Sequence, residues 1–188
     1  MLAVAGGYPY ALPFAFMVIV RKAAPGTSQV ALQRFAQRAR EAVGLRGEVN
    51  VLLTSSRDLR ALNRRFRGKD APTDVLSFPP IPVVPQKFSG DIVISADIAA
   101  SNARLYGHDE TQELKILILH GMLHLAGHDH ETDRGQMARK EERLRRQLGL
   151  SKGLITRTEE RPPNANGGQH GRANGQRPQA NGVRRRFR

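Results

Sequence analysis

Hydrophobic and polar positions along this chain alternate between a period of two and a period of about 3.6. Residues 17–21 (MVIVR) read as a short strand, and Gln29–Val43 sets Val30, Leu32, Phe35, Ala36, Ala39 and Val43 at helical spacing. EVNVLLT (48–54) is rich in β formers, and Ser55-Ser56 then caps a helix whose apolar positions are Leu59, Leu62 and Phe66. RGKDAPTD (67–74) interrupts the pattern with Gly68 and Pro72. VLSF (75–78) and DIVIS (91–95) are two further strands able to pair antiparallel. The loop between them holds Pro79, Pro80, Pro82 and Pro85, which supply no ladder donors, so it should be exposed and variable in shape. Helical spacing returns over Ala96–Tyr106, Thr111–Ala126 and Arg134–Leu148. The predicted order βαβαββααα describes an α+β fold, a single domain with a small mixed four-stranded sheet packed with about five helices.

The pattern fails at both ends. The first twenty residues are apolar but lack a basic start, contain Gly6-Gly7, Pro9 and Pro13, and meet charge only at Arg21 and Lys22. They fit neither a signal peptide nor a spanning helix, and residues 1–16 are expected to be an extension, from an upstream start codon, ahead of a domain over 17–150. From Ser151 the chain turns to Asn, Gly, Gln, Pro and Arg and loses its apolar rhythm. Such a segment cannot bury enough surface to offset its chain entropy, so 151–188 is expected to be a disordered basic tail. It reads equally as an RNA- or membrane-surface-binding arm and as a solvated appendage.

Charge changes the picture. Of the net +13, residues 151–188 carry +7 and residues 1–150 carry +6, so the domain is basic without its tail. A positive excess of this size favours polyanionic partners, nucleic acid first, although a surface tuned for solubility would carry the same excess. The absence of cysteine excludes disulfides, thiolate catalysis and cysteine-ligated zinc, leaving imidazole and carboxylate to build any metal site.

Four of the six histidines fall in LHGMLHLAGHDHETD (119–133). His120 and His124, four apart on a strongly apolar helix, share one face and can reach one ion. His128 continues the stripe, but in an unbroken helix it would lie about 12 Å of rise from His120, whereas nitrogens on one zinc each lie about 2.0–2.1 Å from it. Gly127 can end the helix in the left-handed conformation and bring His130 back as the third ligand. Three imidazoles leave one position open, the catalytic pattern, unless Glu131 or Asp133 closes the site as a fourth ligand. Ligand type alone does not separate zinc from nickel or another divalent ion. The same spacing occurs in zinc proteases, but the position of their general-base glutamate is Gly121 here, which counts against a peptidase.

LNRRFRGKDAPTDVLSFP (62–79) places Arg64, Arg65, Arg67 and Lys69 beside a loop leading into a strand, where guanidinium forks and an ammonium suit phosphate oxygens. Together with HGMLHLAGHDH and GDIVIS (90–95), this segment resembles the YbeY family of bacterial endoribonucleases, also called rRNA maturation factors. The resemblance runs from about Met17 to Leu150. It implies a cytoplasmic, single-strand-specific, metal-dependent ribonuclease of the 16S ribosomal RNA 3′ end and of ribosome quality control. It implies zinc on His120, His124 and His130, an important arginine at Arg67, and work alongside small-subunit ribosomal proteins and the GTPase Era, with no membrane.

On this reading Arg67 and Lys69 stabilise charge on the scissile phosphate. Arg64, Arg65, Arg67, Lys69 and His128 contact RNA; His128 stands where the family often has tyrosine. Asp74, Asp91 and Asp129 are candidates to orient a histidine or move a proton. Asp129 ranks first because it lies between His128 and His130. The alternatives are a ribosome-assembly factor with a structural zinc and a metallopeptidase without the usual glutamate.

Overall fold

A computed structural model describes residues 17–22, 26–80 and 88–150. The expected extension 1–16, most of the proline loop (81–87) and the expected tail 151–188 lie outside the described residues. The elements follow the predicted order: β1 (Val18–Val20), α1 (Gln29–Val43), β2 (Glu48–Thr54), α2 (Ser56–Arg67), β3 (Val75–Phe78), β4 (Phe88–Ser95), α3 (Ala96–Tyr106), α4 (Glu110–Leu125) and α5 (Gln136–Leu148). No helix among the described residues is long and apolar enough to cross a membrane.

Helix starts are set by side chains that accept the first free N–H groups. Ser28, Ser55, Ser95 and Asp109 cap α1, α2, α3 and α4, accepting from Ala31, Asp58, Ile98 and Gln112. Asp133 does the same for α5, its carboxylate accepting from the N–H groups of Gly135, Gln136 and Met137. That fixes the start of α5 at Gln136, two residues later than periodicity predicts, and occupies one of the two carboxylates considered as a fourth metal ligand.

The sheet is mixed, in the order β1-β2-β4-β3, with β1, β2 and β4 parallel and β3 antiparallel to β4. Its alternation sorts side chains between two layers. Val49, Val51, Leu53, Ile92 and Ile94 face the main core, with α1, α4 and α5, whereas Leu76 and Val93 face the other side and meet Leu59 of α2. β4 begins at Phe88, earlier than the predicted Asp91, because its backbone pairs with β2 through Gly90, with a register shift at Glu48/Val49. Gly90 reads as a break in sequence and is strand in the fold.

Helix α4 is the axis of the molecule. Ile116, Leu117, Ile118, Leu119, Met122 and Leu123 are all buried, because the helix is enclosed by sheet and neighbouring helices. Each such side chain stabilises the fold by about 1.5–3 kcal/mol relative to exposure. The fit is closest at Gly121: a Cβ there would come within 2.8 Å of Ile92 Cγ2 and 3.1 Å of Ser77 Oγ. The Ser77 hydroxyl also donates to the Gly121 carbonyl at 3.2 Å. The sheet therefore occupies the space that a peptidase's glutamate would need at this position.

Candidate metal centre

The last turn of α4 and the reversal after it assemble the histidines. Gly127 takes φ 83°; its N–H donates to the His124 carbonyl, and the His128 N–H donates to Leu123. This paired closure of the helix end needs a left-handed residue, which glycine supplies without a Cβ penalty. The chain then turns through His128-Asp129 and returns His130 to the cluster. Ring centroids of His120, His124 and His130 lie 4.8, 5.2 and 5.3 Å apart pairwise, and one ligand nitrogen from each falls within 4.8 Å of the others. The three rings form a group that could hold one metal ion. His128 stays out of it, accepting at Nε2 a hydrogen bond from Lys140 Nζ at 2.9 Å.

Each ring is prepared for the role differently. His120 is buried, and its Nδ1 lies 3.1 Å from Glu141 Oε2 on α5. A carboxylate requires a donor, so the proton sits on Nδ1 and the lone pair of Nε2 is turned to the cluster, where it meets His124 Nε2 at 3.1 Å. Burial, then the neighbouring His120 and His130, push His124 from 6.5 down to about 4, so it is neutral and able to ligate at pH 7. Three imidazoles, one of them with the buried Glu141 carboxylate behind it, are a donor set suited to zinc or a similar divalent cation.

The His124 shift links to stability. The unfolded chain protonates this residue near 6.5 and the folded one only near 4, so the unfolded state binds the extra proton between those values. The contribution is whole above 6.5 and is lost as the pH falls toward 4. Thermal unfolding of the metal-free protein should therefore show Tm dropping across this window, with a smaller drop in His124→Ala. Equal slopes in both proteins would show that burial of His124 is not the cause.

The cluster opens into a cleft of about 530 Å³ whose lining includes Arg67, Asp74, Ser77, His128, Asp129 and Glu131. Arg67, at the end of α2, faces the exposed Glu131 at 3.6 Å across the mouth. Arg64, Arg65 and Lys69 are exposed on the same helix end but do not line the cleft. Asp129 lines it, yet its oxygens accept from the Glu131 N–H at 3.0 Å and the Thr132 hydroxyl at 2.9 Å. The Glu131 bond, first, holds its carboxyl below the usual range, so Asp129 is a weak base whose bonds fix the loop that carries His130. Asp74 accepts from the Val75 N–H at 2.9 Å on the cleft wall. Asp91 is absent from the lining. It accepts from Asn50 at 3.0 Å between β2 and β4, and burial raises its pKa. Glu141 behind His120 and Lys140 beside His128 are among the residues that sequence reasoning did not find.

Comparison with known proteins places the chain in a family. The profile of the family described as Endoribonuclease YbeY matches residues 21–149. The chain belongs to the YbeY endoribonuclease family. The protein named Endoribonuclease YbeY in Koribacter versatilis is 55% identical over 142 residues, covering 76% of this chain and 91% of that protein. Its namesake in Solibacter usitatus is 46% identical, over 76% and 94%. A Thermotoga maritima protein solved in solution is similar at 29% identity and a TM-score of 0.48, over 79% of this chain and 98% of its own. In this YbeY-family chain the matched region holds the three histidines, Arg67 and Glu141.

Proposed function

We propose that this chain is a zinc-dependent endoribonuclease of single-stranded RNA that matures the 3′ end of 16S ribosomal RNA and serves ribosome quality control in the cytoplasm. Small-subunit ribosomal proteins and the GTPase Era would be its partners. The convergence of three imidazoles and Arg67 on one cleft, in a member of this family, is the observation that carries the reading.

A divalent cation on His120, His124 and His130 supplies Lewis acidity toward a phosphoryl oxygen. The remaining work falls to the protein. Glu141 fixes the tautomer and direction of His120, and Asp129 fixes the loop of His130. Arg67 donates to the non-bridging oxygens of the scissile phosphate as negative charge builds on them. Its exposed pairing with Glu131 is worth little and yields readily to a phosphate. Arg64, Arg65 and Lys69, outside the cleft, hold the flanking backbone, while His128, bonded to Lys140, lines the cleft itself.

The test is removal and return of the metal. The full-length protein should lose cleavage of precursor 16S RNA on chelation, recover it with zinc, and stay folded by circular dichroism throughout, since the main hydrophobic cluster closes without the histidines. A domain that melts on chelation has a structural metal. That result, or bound metal with no RNA cut even when ribosomes are present, moves the assembly-factor reading ahead.

A further inference from the structure

Phe66 departs from the stripe to which it belongs. Leu59 and Leu62, earlier on the same face of α2, are buried and half-buried, yet Phe66 is 57% exposed. The ring is nevertheless held in place. It packs edge to face on Phe78, at the end of β3, with centroids 5.2 Å apart and an interplanar angle of 74°. The Arg65 guanidinium carbon lies 5.3 Å from its centroid. Both rings adjoin the cleft along the chain: Phe78 sits between Ser77 and Pro79, Arg67 directly follows Phe66, and these three neighbours line it. None of Arg64, Arg65 and Lys69 is ion-paired to a described carboxylate, so the surface around the ring is positive and available to phosphates.

An aromatic ring fixed at its edge, half in water and framed by cations that no described carboxylate neutralises is the combination that binds single-stranded nucleic acid, because every base has a π-face and every linkage a charge. We propose that Phe66 is a stacking platform for one unpaired nucleobase beside the scissile phosphate. Arg67 takes that phosphate, and Arg64, Arg65 and Lys69 follow the backbone outward. The proposal rests on the endoribonuclease reading and gives it a physical source of strand selectivity. In a duplex each base is already stacked on both sides and has no face to offer, so the platform rewards only unpaired RNA.

The experiment is single-turnover cleavage of a short, unstructured RNA by the full-length, zinc-loaded protein, titrated to give a half-saturating concentration and a maximal rate. It is repeated with RNAs that each carry one abasic position. For the wild type, one position near the cut should raise half-saturation by about 5- to 150-fold, the worth of one base on one ring. Phe66→Ala should raise half-saturation for intact RNA by a similar factor and abolish the penalty at that position. Phe66→Trp should restore both. The salt dependence should be unchanged in Phe66→Ala and shallower by about one unit of slope in Arg65→Ala, since only the latter removes a phosphate contact. If wild-type protein cuts RNA but the abasic scan is flat, or the penalty survives unchanged in Phe66→Ala, the platform is overturned and the nuclease stands. If metal-loaded wild type cuts no RNA, both fall.

Discussion

His124→Ala should lose stoichiometric metal binding and at least about 10³-fold in RNA cleavage, while Arg67→Ala should keep its metal and lose about 10²–10³-fold, the usual worth of one charge-stabilising donor. The two residues face the same cleft from different elements, so their contributions separate. His124 belongs to the imidazole cluster, and two remaining rings hold a borderline cation poorly. Arg67 is 3.6 Å from Glu131, exposed, and outside the cluster, so its loss does not disturb the donor set. Metal analysis beside single-turnover cleavage measures both, and thermal melting controls for folding. Neither change should unfold the domain: Arg67 is a surface residue, and His124 is a half-buried ring at the open end of α4. If Arg67→Ala cleaves as well as wild type, the charge on the phosphate is met elsewhere and the arginine serves binding alone. If His124→Ala retains metal and activity, the cluster is not the reaction centre.

The parts of this picture that were legible in sequence share one cause: their determinants lie within a few residues of each other. The serine cap before α2 marks a helix start locally, and Gln29–Val43 and Ala96–Tyr106 form with the predicted bounds. The same holds for the return of His130, because Gly127 and the three-residue reversal are encoded together. Sequence was silent where the decisive partner is distant. The Gly90 strand is held by β2, some forty residues away, and no local signal reveals that pairing. Asp91 reads as a possible proton carrier, but only the sheet shows that its partner is Asn50. The Arg64 to Lys69 run looks uniform, and the fold separates it: Arg67 turns into the cleft while the others stay outside. Phe66 fits an apolar stripe by spacing and leaves it in space, because α2 ends over the sheet's edge at Phe78. Glu141 is the largest omission. It lies in RKEERLRR, a charge run that resembles a solvated face, and twenty-one residues separate it from His120.

Glu141→Ala should weaken metal affinity by about 10- to 100-fold, the common cost of losing the carboxylate behind a ligating histidine. His120 is 3% exposed and Glu141 2%, so water cannot replace the lost acceptor, and an imidazole N–H is left unsatisfied in a dry site. Without the carboxylate the proton is free to move to Nε2, the nitrogen that must face the ion, and the ring is free to turn. Glu141→Gln separates charge from geometry: its amide oxygen can still accept from Nδ1, so it should hold orientation and lose less affinity than alanine. Competition titration against a chromophoric zinc chelator reads the affinities without reference to catalysis. The ranking wild type, then Gln, then Ala would tie α5 to the metal centre through the Glu141–His120 hydrogen bond. Equal affinities in all three proteins would confine Glu141 to packing α5 on α4, and thermal melting would then register its whole effect.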